Sequence, residues 1–209
     1  MSFVETNWKF TEDHVTETDA MELARERAAE LGIPAISPAQ GSQLAALAAA
    51  SGVRQAIEVG TGTGLSALWL FRGAPQANLT SIDLDGEHQQ LARETLAASG
   101  VSSQQLRLIS GRSLDVLPRM NESSYDLVML EVEARTVLAH VDLGLRLVRP
   151  GGVVLVQHVL AGGRLADPAK RDPGTVELRS LLASLSGRDD VLHALLGAGT
   201  GTLQLVRTA

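Results

Sequence analysis

The residues in this chain that can do chemistry are gathered in a few short clusters. The densest is Glu58-Val-Gly-Thr-Gly-Thr-Gly-Leu-Ser66. Gly60, Gly62 and Gly64 alternate, and Glu58 stands two residues ahead of the first. An apolar-leaning run, Val53 to Val59, comes before them and helix-forming residues follow from Ser66 to Phe71. Strand, glycine turn and helix in that order is the setting in which a loop holds a nucleotide-type ligand. Glycine lets the backbone take positive φ and approach a ligand closely. The helix start then offers free N–H groups to an anionic end. Dinucleotide sites use G-x-G-x-x-G. Here the third glycine comes one residue early and Leu65 fills the later slot. That spacing argues against a pyrophosphate cradle. A carboxylate beside the loop can instead attract a cationic group.

The other clusters sit at the ends of predicted strands. Asp83, in Ser81-Ile-Asp-Leu-Asp85, can accept hydrogen bonds from two ribose hydroxyls, as the acidic residue of nucleotide-binding sheets does. Asp85 reads as the cap of the next helix. Glu131 and Glu133 end Tyr125-Asp-Leu-Val-Met-Leu-Glu-Val-Glu133, and strand alternation would set them on one face. They are candidates for catalysis or metal binding, against the plainer reading of a solvated strand end. Gln157 and His158 end a further strand at the edge of the same crevice. His14, His88, His140 and His193 receive no role.

These clusters need a frame to bring them together. Residues 1–18 are polar and read as a loose arm or partner contact. Asp19 with Glu22 predicts a capping box for a helix to about Leu31. Gly32 to Pro38 breaks it, and a second helix runs through Gln43 to Ala50. Strands are expected at 55–59, 79–83, 105–109, 126–131 and 152–158. Helices are expected at 64–72, 86–98, 113–119 and 134–147. Such alternation implies parallel strands with right-handed crossovers. Arg149-Pro-Gly-Gly152 reads as a turn, and 159–173 as a loop at a strand's C-terminal end. A helix at 174–185 precedes two strands, 190–196 and 202–207, joined by Gly197-Ala-Gly-Thr-Gly201.

Composition narrows the class. The chain has 209 residues, 44% hydrophobic and 20% charged. That suits one α/β domain, 1–209, with an N-terminal part to residue 50 and a sheet core from 51. The net charge of −6 opposes an electrostatic grip on nucleic acid. The absence of cysteine excludes disulfides, thiolate metal sites and a cysteine nucleophile. No apolar run approaches the roughly 20 residues of a membrane span. The expectation is a cytoplasmic protein that binds neither membrane nor nucleic acid.

Taken in order, the motifs resemble the class I S-adenosylmethionine (SAM) dependent O-methyltransferases of the caffeoyl-CoA and catechol type, in their bacterial branch. The residues that carry the resemblance run from Ala20 to Arg207. They include Ile36-Ser-Pro-Ala-Gln-Gly41, Glu58 to Leu70, Ser81-Ile-Asp83, Tyr125 to Val128, Leu145 to Val153 and Val159 to Arg164. The resemblance implies a Rossmann-like three-layer α/β/α sandwich. Its sheet would have seven strands, mostly parallel, with a C-terminal antiparallel hairpin strand. It implies a homodimer and a small, phenol- or catechol-like acceptor. It implies SAM contacts at Ile36, Glu58, Gly60, Thr61, Gly62, Gly64, Ser66, Asp83, Ser113 and Glu131. Ser113 would meet the adenine edge, though a helix cap by Ser113 is an equal reading.

The chain departs from the family where the acceptor should bind. The family's fourth strand ends Asp-Ala-Asp-Lys and its fifth Asp-Asn, which hold Mg²⁺ and supply a lysine base. Here those places read Glu131-Val-Glu133-Ala134 and Gln157-His158. Mg²⁺ wants oxygen ligands in tight octahedral geometry, and His158 offers nitrogen. Ala134 is no base, and Arg135 stays protonated. A divalent metal is therefore doubtful, and Glu131, Gln157 and His158 read as a degenerate metal site. One expectation is metal-independent transfer with His158 as general base beside Glu131, since histidine titrates near pH 6.5. Another is a different ion on Glu131 and His158, with Glu133 or water completing the shell. A third is a SAM-binding protein that regulates or dimerises without turnover. A dehydrogenase fails on the glycine spacing. A nucleic-acid amino-methyltransferase lacks its proline-aromatic motif after Leu130.

Overall fold

The computed structural model describes residues 3–209. The first helix, α1 (Phe3–Asp13), occupies the segment expected to be a loose arm. Tertiary contact explains the difference. The Glu12 carboxylate accepts from Ser37 Oγ (2.8 Å), Ala39 N (2.9 Å) and Gly199 N (3.1 Å). It thus caps the helix that starts at Pro38 and pins α1 across the molecule, which no local pattern announces.

Helices α2 (Asp19–Leu31) and α3 (Pro38–Ala50) follow. The cap of α2 is Thr18 rather than Asp19: its side chain accepts from Met21 N, and Asp19 falls inside the first turn. Helix α3 has a full capping box, Ser37 with Gln40. Then β1 (Gln55–Val59), α4 (Leu65–Gly73), β2 (Asn78–Asp83) and α5 (Gly86–Ala98) build the first half of the sheet. Asp85 caps α5, accepting from Glu87 N. The rest is β3 (Leu106–Ser110), the short α6 (Ser113–Val116), β4 (Tyr125–Leu130), α7 (Val137–Leu147), β5 (Val148–Gln157), α8 (Pro173–Ser184), β6 (Val191–Leu196) and β7 (Thr202–Arg207).

Seven strands among the described residues form one sheet in the order β3-β2-β1-β4-β5-β7-β6. Strands β1 to β5 pair in parallel, and β7 runs antiparallel to both β5 and β6. Arg149 to Gly152 lies inside β5 rather than before it. The register slips between Tyr125 and Leu127, so the proline and glycines form a bulge that the ladder absorbs. Strand alternation sorts the two cores. Ala56, Leu127, Met129, Val153 and Leu155 face α2 to α4, while Ile57, Val128, Leu130, Val154 and Val156 face α7 and α8. No helix of the described residues is long and apolar enough to cross a membrane.

The contact between α3 and α4 is unusually close. Gly41 lies flat against the buried Trp69, whose Nε1 would stand 2.2 Å from a Cβ at that position. The same Nε1 donates to Glu17 Oε1 (3.2 Å), and Glu17 forms an ion pair with Arg25 (2.6 Å). Arg25 also donates to the Ile36 carbonyl (2.8 Å), which fastens the segment between α2 and α3 over the glycine loop. Overpacking of this kind costs about 1–3 kcal/mol or more. Gly41→Ala is therefore expected to lower the unfolding free energy measured in urea by that much, with Gly86→Ala as a control that meets no atom within 4 Å and needs no positive φ.

Candidate functional site

The site forms where the chain leaves β1 and β4, adjacent strands whose connections diverge. Ligands of open α/β sheets bind at that switch point, beyond the carboxyl ends of the strands. After Val59 the chain turns through Gly60 (φ 92°), Gly62 (φ 49°) and Gly64 (φ 85°). Gly60 is the tightest of these. A Cβ there would lie 2.7 Å from the Glu131 carbonyl oxygen. Gly64 is the N-cap of α4 and rests against Ala92 of α5, 3.2 Å from a Cβ at its position.

A cavity of about 330 Å³ opens beside this turn. Gly60, Asp83, Ser113 and Glu131 line it, together with Leu84, Gly111, Val132, Glu133, Thr136 and His140. A smaller recess adjoins it across Glu131, lined by Ile36, Thr61, Gly62 and Ser66 with Pro34 and Thr63. The structure thus gathers Ile36, Gly60, Thr61, Gly62, Ser66, Asp83, Ser113 and Glu131 at one place, with Glu131 common to both hollows, while Glu58, Gly64, Gln157 and His158 line neither.

Each candidate side chain has a defined partner. Asp83 Oδ2 accepts from Thr61 N (2.9 Å) and Gly62 N (3.2 Å), so the carboxylate both braces the loop and faces the cavity. Its Oδ1 accepts from Asp85 N (2.9 Å). Glu58 lines neither hollow. It is buried beneath the loop, where Ser66 Oγ (2.6 Å) and Ser81 Oγ (2.5 Å) donate to its two oxygens. Thr61 Oγ1 extends this chain to Ser81 Oγ (2.7 Å). Glu58 therefore acts on the recess through Ser66. Burial raises its pKa to about 7, the nearby Glu131 and Asp83 charges adding to the rise while the two serines oppose it. Ser113 is not a helix cap. It is the first residue of α6 and meets His140 Nε2 at 2.8 Å.

The strand expected to carry Glu131 and Glu133 stops short of them: β4 ends at Leu130, Glu131 N still donates to the Val59 carbonyl (2.9 Å), and both residues line the cavity from beyond the strand end. Likewise β5 ends at Gln157, and His158 takes φ 58°, a left-handed conformation rare for a residue with a side chain. That turn brings His158 Nε2 to 2.6 Å from Glu131 Oε1. His158 Nδ1 lies 2.7 Å from Thr200 Oγ1, on the glycine-rich turn between β6 and β7. An ionised carboxylate only accepts, so the Nε2 proton points at Glu131 and the Nδ1 lone pair at Thr200.

These donors do not fit Mg²⁺. Gln157 is buried, and its Oε1 accepts from Thr202 Oγ1 (2.8 Å) and Gln40 Nε2 (3.0 Å). His158 presents nitrogen where a hard cation wants oxygen. No group of three His, Cys, Asp or Glu side chains among the described residues is placed to hold an ion. The set Glu131, Glu133 and His158 is likewise not assembled as a group of three ligands among the described residues.

Several site residues carry no mark in the sequence. His140 sits on the buried face of α7, where its spacing with Val137 and Val141 matches plain core. Thr200 and Gln40 come from opposite ends of the chain, and Gln40 Oε1 accepts from Thr200 N at 3.4 Å. Arg179 of α8 gathers the 159–173 loop by donating to the carbonyls of Arg164, Leu165, Asp167 and Lys170. No local signal points to any of them.

Comparison with known proteins places this architecture. The profile of the family described as O-methyltransferase matches residues 11–208. A probable O-methyltransferase of Mycobacterium tuberculosis is 39% identical over 204 residues, spanning 97% of this chain and 91% of its own length. A crystal structure of a Corynebacterium glutamicum protein superposes with TM-score 0.91 at 30% identity, covering 100% of this chain and 98% of that one. The O-methyltransferase TomG of Streptomyces achromogenes, involved in tomaymycin synthesis and solved in complex with SAM, gives TM-score 0.84 at 30% identity over 93% and 92% of the two chains.

The buried Glu58 makes stability depend on pH in a set direction. Its pKa is raised from 4.5 to about 7 on folding. Between those values the folded state keeps a proton the unfolded state has lost, so stability falls as pH rises. The fall is about 1.4 kcal/mol for each pH step of one across that window, and it is complete above pH 7. Glu58→Gln is expected to flatten this slope: relative to the parent protein, its urea midpoint should rise between pH 5 and pH 8. An unchanged pH profile in the variant would contradict the assignment.

Proposed function

The chain belongs to the O-methyltransferase family, and on that premise we propose that it methylates a hydroxyl of a small, phenol-like acceptor from SAM without using Mg²⁺. The observation that carries the reading is the 2.6 Å contact of Glu131, which lines the cavity, with His158. An imidazole stands against the carboxylate where a metal ion would need a second oxygen ligand.

The cavity suits SAM by the chemistry of its donors. Asp83 offers carboxylate acceptors for a ribose diol, and Ser113 a hydroxyl for the adenine edge. Ser66, held by Glu58, and the backbone beside Ile36 face the recess in which a methionine end would lie. Glu131 puts negative charge between the two, where a sulfonium gains from it. SAM, when bound, supplies an electrophilic methyl group. Positioning of the acceptor oxygen in line with that methyl does most of the remaining work.

The chain's own residues must remove one proton, because an acceptor O–H bond becomes an O–C bond. Glu131 accepts the Nε2 proton of His158 and so leaves Nδ1 free to take another. Thr200 Oγ1 donates to that Nδ1. An acceptor hydroxyl that reaches Thr200 can pass its proton to Thr200 Oγ1 as Thr200 passes its own to His158. The imidazolium formed is then paired with the Glu131 carboxylate. Ala134 supplies no base, so this route does not compete with a lysine.

A second reading has one specific observation behind it: both ring nitrogens of His158 are already bonded within the protein. In that reading the chain binds SAM and acts as a regulator without turnover.

Turnover assays on a catechol and phenol panel separate the two. His158→Ala is expected to cut kcat by about 10²–10⁴-fold while SAM affinity stays within about threefold. Activity is expected to be the same in EDTA and in added Mg²⁺. Loss of activity in EDTA would overturn the metal-free reading. Calorimetric SAM binding with no turnover on any acceptor would favour the regulatory one.

A further inference from the structure

One buried titratable group on the cavity wall has no part in the chemistry above. His140 of α7 is 3% exposed and lines the same end of the cavity as Ser113 and Thr136. Its Nδ1 lies 2.8 Å from the Thr136 carbonyl oxygen, one helical turn back. Its Nε2 lies 2.8 Å from Ser113 Oγ. A carbonyl oxygen only accepts, so Nδ1 carries the proton. Burial holds the imidazole below its ordinary pKa and keeps it neutral, although the Thr136 bond opposes this. A neutral ring protonated at Nδ1 has its lone pair at Nε2. Ser113 must therefore donate its single hydroxyl proton to His140. Only the lone pairs of Ser113 Oγ remain for the cavity.

We propose that His140 is a positioning residue for cofactor specificity: it turns Ser113 into a one-way acceptor, so that the site selects a base with an amino donor at its edge, adenine, over the deaminated 6-oxo base. This rests on the SAM reading of the cavity. An unconstrained serine is a poor discriminator, because its hydroxyl rotates to donate or accept as the ligand requires. Fixing the proton removes that freedom. A 6-oxo base would set its carbonyl oxygen against the Ser113 lone pairs and leave that oxygen without a donor there. The Thr136 carbonyl, the His140 ring and the Ser113 hydroxyl thus pass hydrogen-bond direction from the start of α7 to the ligand. None of the three needs to titrate for this to work.

The test is calorimetric titration with two ligands, S-adenosylhomocysteine and its deaminated analogue S-inosylhomocysteine. The unmodified protein is expected to bind the adenosyl ligand about ten- to a hundredfold more tightly. His140→Phe keeps an aromatic ring of similar size in the buried slot but removes the acceptor, freeing the Ser113 hydroxyl to rotate. The preference is then expected to shrink to about threefold or less. Loss of general packing would weaken both ligands together and leave their ratio unchanged. Equal binding of the two ligands by the unmodified protein would overturn the inference, as would a full preference retained in His140→Phe. Where that variant fails to fold by circular dichroism, Ser113→Ala takes its place, and a preference retained there overturns the inference equally. Binding of neither ligand by the unmodified protein would instead overturn the SAM reading beneath it.

Discussion

Gly60 passes so close to the end of β4 that even a methyl group on its Cα would stand 2.7 Å from the Glu131 carbonyl oxygen. The site depends on this approach. Because the turn after β1 carries no side chain there, it can cross toward β4 and leave the rest of the switch point open. Glu131 then lies between the large cavity and the small recess and belongs to both. A bulkier residue at Gly60 would push the turn outward, and Asp83, which holds the Thr61 and Gly62 amides, would lose its fixed position.

A second layer beneath the loop keeps that geometry rigid. Glu58, Ser66, Ser81 and Thr61 form a buried chain of hydrogen bonds in which each hydroxyl has a partner. Buried polar groups of this kind cost free energy unless all are satisfied, and satisfied networks hold one arrangement. Burial of a carboxylate is unfavourable for stability near neutral pH, and the raised pKa of Glu58 is the measure of it. A cationic ligand above the loop would offset that cost by favouring the ionised form.

The acceptor side is built differently, from parts far apart in the chain. Glu12 of α1 ties the start of α3 to the β6–β7 turn. Gln40 joins α3 to Thr200 and Gln157, and Thr200 meets His158. The backbone of His158 is in a left-handed conformation, a strain that such cross-connections sustain. The result is a carboxylate, an imidazole and a hydroxyl in contact.

The sequence by itself determined the sheet and the glycine turn beside the cavity. Alternating strands and helices, three glycines at a fixed spacing and acidic residues at strand ends are local patterns, and local patterns report local backbone. Asp83, Gly60 and Glu131 line one cavity because each stands at the C-terminal end of a strand of that sheet. Tertiary structure decided what no window of residues contains. Helix α1 forms where a loose arm is expected, because Glu12 finds its partners 25 to 187 residues away. Glu58 supports Ser66 from below rather than lining either hollow, a matter of burial that its motif does not encode. Glu131 and Glu133 line the cavity from beyond the end of β4, which stops at Leu130, and the pairing of His158 with Glu131 needs a positive φ that alternation cannot foresee. His140 looks like any core residue of an amphipathic helix, since periodicity records which face is buried and not which polar atom waits there.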